Sequence, residues 1–368
     1  MTVVGPSGAS SPPSVEVHDG FVRVVDGGRR RDFHLRWLRH NCDVDRHPLT
    51  GERVVDSADL PDELAVVTAA ITADGLRVEW QHDRRISTYP LGWLREHAYA
   101  VDRPLVEPPP ADVTRLELTR GAAPLAALVP AIVERIELAG AVVVRAGTVD
   151  RPEDETEAWI EALGAEALRV VETHFGRIED LRTDNTTNAN TDQLGYTDAA
   201  VELHTDQPFL DHPPRYQLLQ AIRAAEAGGD SLIADARAAF RYLQSLDHHA
   251  AELLRTVEIR FHRKQRAFER EVRAPLIVDG GERFVVRSSY FTMAPHHLPF
   301  DRMDGWYRAY DRFVRLVRDP RHHYRFALRP GDVLVYDNHR VLHGRTAFRG
   351  ARWVRGIYFD RRAPTAPA

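Results

Sequence analysis

The chain predicts a mainly β protein with helical insertions, divided into a small N-terminal domain and a larger second one, and three observations carry that expectation. Short runs that alternate apolar and polar residues, such as Phe21-Val22-Arg23-Val24-Val25 and Leu76-Arg77-Val78-Glu79-Trp80, recur between turn signals from Val15 to Tyr99. Arg103-Pro104-Leu105-Val106-Glu107-Pro108-Pro109-Pro110 then favours extended backbone and breaks helix, as a linker would. Beyond it, apolar strands such as Tyr216-Gln217-Leu218-Leu219-Gln220-Ala221-Ile222 are interrupted by segments with helical spacing. The expected domains are a disordered tail at 1–14, a small N-terminal domain at 15–102, a Pro-rich linker at 103–113, a second domain at 114–363 and a short tail at 364–368.

The tail 1–14 is rich in Gly, Pro and Ser, which cannot bury enough apolar surface to fold. After the linker, Pro124 to Ala139 has apolar residues at helical spacing, and Gly140-Ala141-Val142-Val143-Val144 follows as a buried strand. A second helix is expected from Pro152 to Leu163, with proline in its first turn. Between Asp180 and Asp198 the run Thr183-Asp184-Asn185-Thr186-Thr187-Asn188-Ala189-Asn190-Thr191-Asp192 is too polar to pack, and reads as a lid, a substrate loop or a surface insertion. Gly228-Gly229-Asp230-Ser231 is a turn leading into a strand, two helices are expected from Ala236 to Arg255, and another from Arg302 to Val317. Such insertions between strands build either a substrate wall or the face of a homodimer.

Composition narrows the functional classes. The 368 residues, 43% of them hydrophobic, are enough for a large core. No apolar run approaches the length of a membrane span and no signal-peptide pattern opens the chain, so a cytoplasmic protein is expected. A net charge of −5 leaves no footprint for nucleic acid or an anionic membrane. One cysteine, Cys42, excludes an internal disulfide framework and agrees with a reducing compartment. Lys264 is the only lysine, a bias best explained by GC-rich coding.

The chemistry is concentrated in Val201-Glu202-Leu203-His204-Thr205-Asp206-Gln207-Pro208. In a strand, side chains alternate faces, so His204 and Asp206 point the same way and can grip one ion. Two ligands under-hold a first-row metal, and His343 in Asp337-Asn338-His339-Arg340-Val341-Leu342-His343-Gly344-Arg345 is the obvious third. Two histidines and a carboxylate form the facial triad that holds Fe(II) with positions open for substrates and dioxygen. Nine residues on, Arg352 precedes a strand-like run to Tyr358, where a guanidinium could hold a dicarboxylate in a bidentate contact. An H-x-D triplet alone is common by chance. The weight rests on the order H-x-D, Gly-Gly-Asp-Ser, Arg329-Pro330-Gly331-Asp332, His343, Arg352.

From about Thr114 to Arg362 this order resembles the iron(II)/2-oxoglutarate dioxygenases of the taurine dioxygenase superfamily. Leu35-Arg36-Trp37-Leu38-Arg39-His40-Asn41-Cys42 and Tyr89-Pro90-Leu91-Gly92-Trp93-Leu94 resemble the small N-terminal domain of its gamma-butyrobetaine hydroxylase branch. The resemblance implies a double-stranded β-helix, or jelly roll, with the metal at one open end. It implies Fe(II), dioxygen and 2-oxoglutarate, the last bound by Arg352 and by Ser231 after the Gly-Gly-Asp turn. It implies oxidative decarboxylation to succinate and CO2 with hydroxylation of an unactivated C–H bond, and Asp206 favours hydroxylation over halogenation. Relatives hold an N-terminal zinc with clustered cysteines and a histidine. With only Cys42, and His47 and His82 nearby, zinc is not expected here and Cys42 reads as a small buried hydrophobe.

The resemblance also suggests a substrate. Phe175, Tyr196 and Tyr358 fall at positions like those surrounding a trimethylammonium group, where cation–π attraction would act, although ordinary core aromatics would look the same. Two positions depart from that pattern: Glu179 replaces a cage tryptophan and could supply countercharge, and Gln193 replaces an asparagine that meets the substrate carboxylate. Arg287 stands about where the anionic end would be read. A small quaternary-ammonium acid, of the gamma-butyrobetaine or 2-trimethylaminoethylphosphonate type, is therefore expected, with another small anionic substrate as the alternative. Two readings of other classes are a His2Asp zinc hydrolase, which leaves Ser231 and Arg352 without a role, and a non-catalytic ligand-binding β-helix protein.

Overall fold

The computed structural model describes residues 12–47, 49–50, 53–99, 107–166, 168–182, 193–280 and 283–362. The chain divides into two compact units, Met1–Leu105 and Val106–Ala368. The polar run 183–192, read as a lid, a substrate loop or a surface insertion, lies outside the described residues, as do 1–11 of the expected tail, 103–106 of the expected linker and the expected C-terminal tail 364–368.

The first unit holds two three-stranded antiparallel sheets, Ser14–His18, Phe21–Asp26 and Arg29–His34, then Val66–Thr72, Gly75–Trp80 and Ile86–Tyr89. The first strand starts inside the segment expected to be disordered, because Val15 and Val17 register against Val24 and Val22 and complete that sheet. The stretches around Leu35 and Leu91 fold as short helices, Leu35–His40 and Leu91–Glu96. Their Leu38 and Leu94 close a core of Val22, Val24, Phe33, Leu76, Val78 and Trp80. Cys42 belongs to the same core at 1% exposure. Its thiol receives an N–H of Arg39 at 3.2 Å and donates to Asp45 at 3.4 Å. Arg39 also pairs with Asp45 and Asp83, and Asp45 with Arg85. A donor set of one thiol, with a guanidinium beside it and carboxylates already paired, does not fit zinc.

In the second unit, eleven strands build two sheets. They are β1 (Glu117–Thr119), β2 (Ala141–Arg145), β3 (Leu168–Val171), β4 (Glu179–Arg182), β5 (Val201–His204), β6 (Tyr216–Arg223), β7 (Ser231–Asp235), β8 (His323–Phe326), β9 (Val333–Asp337), β10 (Val341–Arg345) and β11 (Trp353–Arg361). The larger sheet runs β4-β11-β6-β9-β2-β1 with β3 also on β11, and the smaller runs β5-β10-β7-β8. All neighbours are antiparallel except β1 and β2. This is the expected mainly β architecture of a jelly roll with helical insertions.

Strand parity explains how the sheets pack. On β2 and β9, Ala141, Val143, Leu334 and Tyr336 meet Ile233, Phe326 and Val341 of the smaller sheet. Val142, Val144, Val333 and Val335 face the other way, onto helices α1 (Leu125–Ala139) and α2 (Thr156–Glu166), as do Leu218, Ile357 and Phe359 of β6 and β11. Three more helices, α3 (Ala236–Leu246), α4 (His248–Thr256) and α5 (Phe300–Val317), share a separate core with the hairpin Glu258–Gln265 and Phe268–Pro275 through Phe240, Leu254, Phe261, Trp306 and Phe313. Among the described residues no helix is long and apolar enough to cross a membrane.

Candidate active site

The metal-ligand candidates meet because β5 and β10 are paired. His204 stands directly opposite His343 in that antiparallel ladder, and their ring centroids are 4.2 Å apart. Gly344 permits this approach, since a Cβ there would lie 2.7 Å from the Val201 carbonyl oxygen. The strand ends at His204, so Asp206 is not the next inward residue of a strand as expected but sits on the turn that follows. Asn338 holds that turn. Its Oδ1 accepts the Asp206 N–H at 2.8 Å, and its Nδ2 donates to the Asp206 and Pro214 carbonyls. The next residue, Gln207, has φ 53°, a left-handed backbone that a non-glycine residue adopts only under local constraint.

Ligand atoms of His204, Asp206 and His343 all lie within 4.8 Å of one another, and no other such group occurs among the described residues. The chemistry of these donors fits a divalent first-row metal. His204 Nδ1 is 2.8 Å from the Glu202 carbonyl, which can only accept, so Nδ1 carries the proton and Nε2 offers its lone pair. Burial, aided by His204, pushes the His343 imidazole down to about 3, which keeps it neutral and able to ligate. Burial works against the Asp206 carboxylate, but the facing imidazoles and a Tyr358 hydroxyl outweigh it and hold it below the usual carboxylate range. That hydroxyl donates to Asp206 Oδ2 at 2.7 Å and fixes the carboxylate's orientation.

The three residues open onto a cavity of about 110 Å3, room for small molecules. Parity along β11 decides which arginine reaches it: Arg352, Val354 and Tyr358 line the cavity. Arg355 points to the helix side, donating to Asp180, the Glu153 carbonyl and the Thr156 hydroxyl. Arg352 has no hydrogen-bond partner among the described residues, and burial with Arg345 nearby lowers its guanidinium to about 10. A buried cation beside a second one is costly until an anion joins them. Ser231, buried at the start of β7, lines the same cavity. It follows the tight turn at Gly228, where a Cβ would stand 2.2 Å from the Ala347 carbonyl oxygen.

The substrate-side residues divide differently from the expectation. Phe175, Glu179, Gln193 and Tyr358 line the cavity. Tyr196 is buried and is not on that lining; it stands behind Glu179 and donates to its Oε1 at 3.1 Å. Glu179 is 3% exposed, and burial together with Asp206 raises its carboxyl to about 8, so it gives no standing countercharge at neutral pH until a cation arrives. Arg287 does not read the site: its guanidinium donates to the carbonyls of Pro208, Leu210 and Asp211, and it is absent from the lining. The cation that does line the cavity there is Arg263 of the hairpin, which donates to Gln193 Oε1 at 2.8 Å.

Other wall residues were not singled out in the sequence. Arg345 donates to the carbonyls of Leu194, Gly195, Thr197 and Ala199 and so clamps the turn carrying Tyr196. Its position two residues after His343 on one strand was a readable signal. Phe209 and Phe291 add aromatic wall, the latter 5.0 Å from the His204 ring, but no local pattern marks them.

A β-helix with a two-histidine, one-carboxylate centre and a buried arginine in the same cavity defines the class of oxygen-activating iron enzymes. Residues 102–358 match the model of the "Taurine catabolism dioxygenase TauD, TfdA family". The chain is 31% identical over 359 residues to a gamma-butyrobetaine dioxygenase of Pseudomonas sp. (strain AK-1), covering 91% of this chain and 89% of that one. It is 25% identical over 371 residues to a trimethyllysine dioxygenase of Meyerozyma guilliermondii, with 91% and 89% covered. In fold it is similar to a Burkholderia xenovorans protein assigned to the alpha-ketoglutarate-dependent taurine dioxygenases, with TM-score 0.51 and 17% identity over 71% of this chain and 94% of that one. The chain belongs to the TauD, TfdA family of dioxygenases.

Proposed function

We propose that this dioxygenase hydroxylates a small ammonium compound with an anionic end, of the gamma-butyrobetaine or 2-trimethylaminoethylphosphonate type. It is an enzyme of Fe(II), 2-oxoglutarate and dioxygen. His204, Asp206 and His343 would hold the metal, Arg352 would take the distal carboxylate of 2-oxoglutarate, and Ser231 would hydrogen-bond beside it. Iron and 2-oxoglutarate, when bound, would supply the oxidation of an unactivated C–H bond: 2-oxoglutarate would lose CO2 and take one oxygen atom of dioxygen to become succinate, and the other oxygen atom would enter the product as its hydroxyl. The protein's own residues position and enclose: Tyr358 and Asn338 fix Asp206, and Phe175, Phe209 and Phe291 keep the cavity apolar and water out.

The observation that carries the reading is Arg352, buried in the same cavity as the triad with no hydrogen-bond partner among the described residues, because a zinc hydrolase would have no use for it. For the substrate, aromatic walls at Phe175 and Tyr358 beside the Glu179 carboxyl suit an ammonium group. A panel of trimethylammonium acids scored for substrate-dependent succinate release tests this, and a panel in which none stimulates release contradicts it. The single buried thiol of Cys42 and the use of Fe(II) suit a reducing cytoplasm. A homodimer is the proposed assembly, checked by sedimentation.

A further inference from the structure

The cavity contains one carboxyl oxygen without a partner, and the hydrogen bonds around it join it to a cation. Glu179 Oε1 accepts from both the Tyr196 hydroxyl and Gln193 Nε2, each at 3.1 Å, whereas Oε2 has no partner among the described residues. The Gln193 amide has one allowed orientation: its oxygen must face Arg263, which can only donate, so its NH2 must face Glu179. One amide thus bridges a carboxyl and a guanidinium that both line the cavity. An amide's N and O are about 2.2 Å apart, given C=O near 1.23 Å and C–N near 1.33 Å. With contacts of 3.1 and 2.8 Å, Glu179 Oε1 and Arg263 Nη2 are separated by no more than about 8 Å.

Resting on the substrate reading above, we infer that Glu179, Gln193 and Arg263 form a charge ruler that selects short zwitterions, the ammonium group lying against Glu179 and the anionic group against Arg263. Because that separation is an upper limit, it admits spacers of up to about four chain atoms and excludes longer extended ones, since an extended chain advances no more than about 1.3 Å per bond, as the backbone's 3.8 Å per three bonds shows. A trimethyllysine-like substrate fits poorly. Its charges lie farther apart, and its α-ammonium group would be brought against the Arg263 guanidinium. Gln193 transmits the spacing, and Tyr196 fixes the carboxyl from behind.

The test is calorimetric binding, with succinate release alongside, for trimethylammonium carboxylates of increasing spacer length, their tert-butyl analogues without the cation, and trimethylammonium alcohols without the anion. Affinity should fall once the spacer exceeds about four carbons. Arg263→Met should weaken the acids roughly 10- to 100-fold and leave the alcohols unchanged, while Glu179→Gln should weaken cationic ligands roughly tenfold and spare the tert-butyl analogues. A purely structural role would lower all ligands together. Equal losses across the ligands, or affinity that keeps rising with spacer length, overturn the ruler while leaving the substrate class standing. If no trimethylammonium acid binds or stimulates succinate release, the substrate class itself falls, and the ruler with it.

Discussion

The two sides of the cavity are built on different supports. On the candidate metal and cosubstrate side, His204, His343 and Ser231 stand on β5, β10 and β7 and Arg352 directly precedes β11, so their directions follow from strand parity and ladder register, while Asp206 sits on the turn after β5 that Asn338 holds. The substrate side stands on the turn at Thr173–Gly176, the first residue of β4, the turn after 192 and a hairpin. Asp206 apart, the first side places its groups by regular geometry, and the second by hydrogen bonds between side chains that no local pattern dictates.

The largest effect that sharpens this contrast is expected at the ladder itself. His204→Ala or His343→Ala should cost roughly three decades or more in succinate formation, since each removes one of only three protein ligands, with the melting temperature little changed. Retained turnover in either variant would break the metal side of the comparison. Next comes Asn338→Ala, which leaves the turn carrying Asp206 unsupported and should weaken metal binding roughly 10- to 100-fold in a chelator competition. Tyr358→Phe keeps the ring and removes only the hydroxyl on Asp206, so a loss near roughly tenfold in the same competition is expected. Smallest for the reaction is Arg287→Ala: substrate KM should stay unchanged while denaturant unfolding shows a loss of about 1–3 kcal/mol, because it holds three carbonyls of 208–211. A raised KM with unchanged stability would return Arg287 to the site.

The same contrast separates what the sequence made legible from what it did not. His204, His343 and Arg352 could be placed from residue type and alternation, because a strand's period is fixed by its backbone. Asp206 joins the same cluster by a route that alternation did not give: the strand stops at His204, and Asn338 supplies the orientation expected from the strand. Arg287 and Arg263 illustrate the limit. Both are arginines near the expected place, and only the folded chain shows that one is engaged by backbone carbonyls while the other reaches the cavity through Gln193. Tyr196 was expected to face substrate and instead supports Glu179, a contact between residues 17 apart that no periodicity reveals.

The central claim is that the chain entering β11 presents Arg352, and not Arg355, to the cosubstrate. Anaerobic titration of the Fe(II)-loaded protein with 2-oxoglutarate, followed by the lilac charge-transfer band, tests it without any knowledge of the substrate. The wild-type protein and Arg355→Ala should develop the band over the same concentration range, whereas Arg352→Ala should need roughly 10- to 100-fold more 2-oxoglutarate, the worth of a charged hydrogen-bonded pair. A band that forms in Arg352→Ala at wild-type concentrations, or one displaced only in Arg355→Ala, would contradict the assignment.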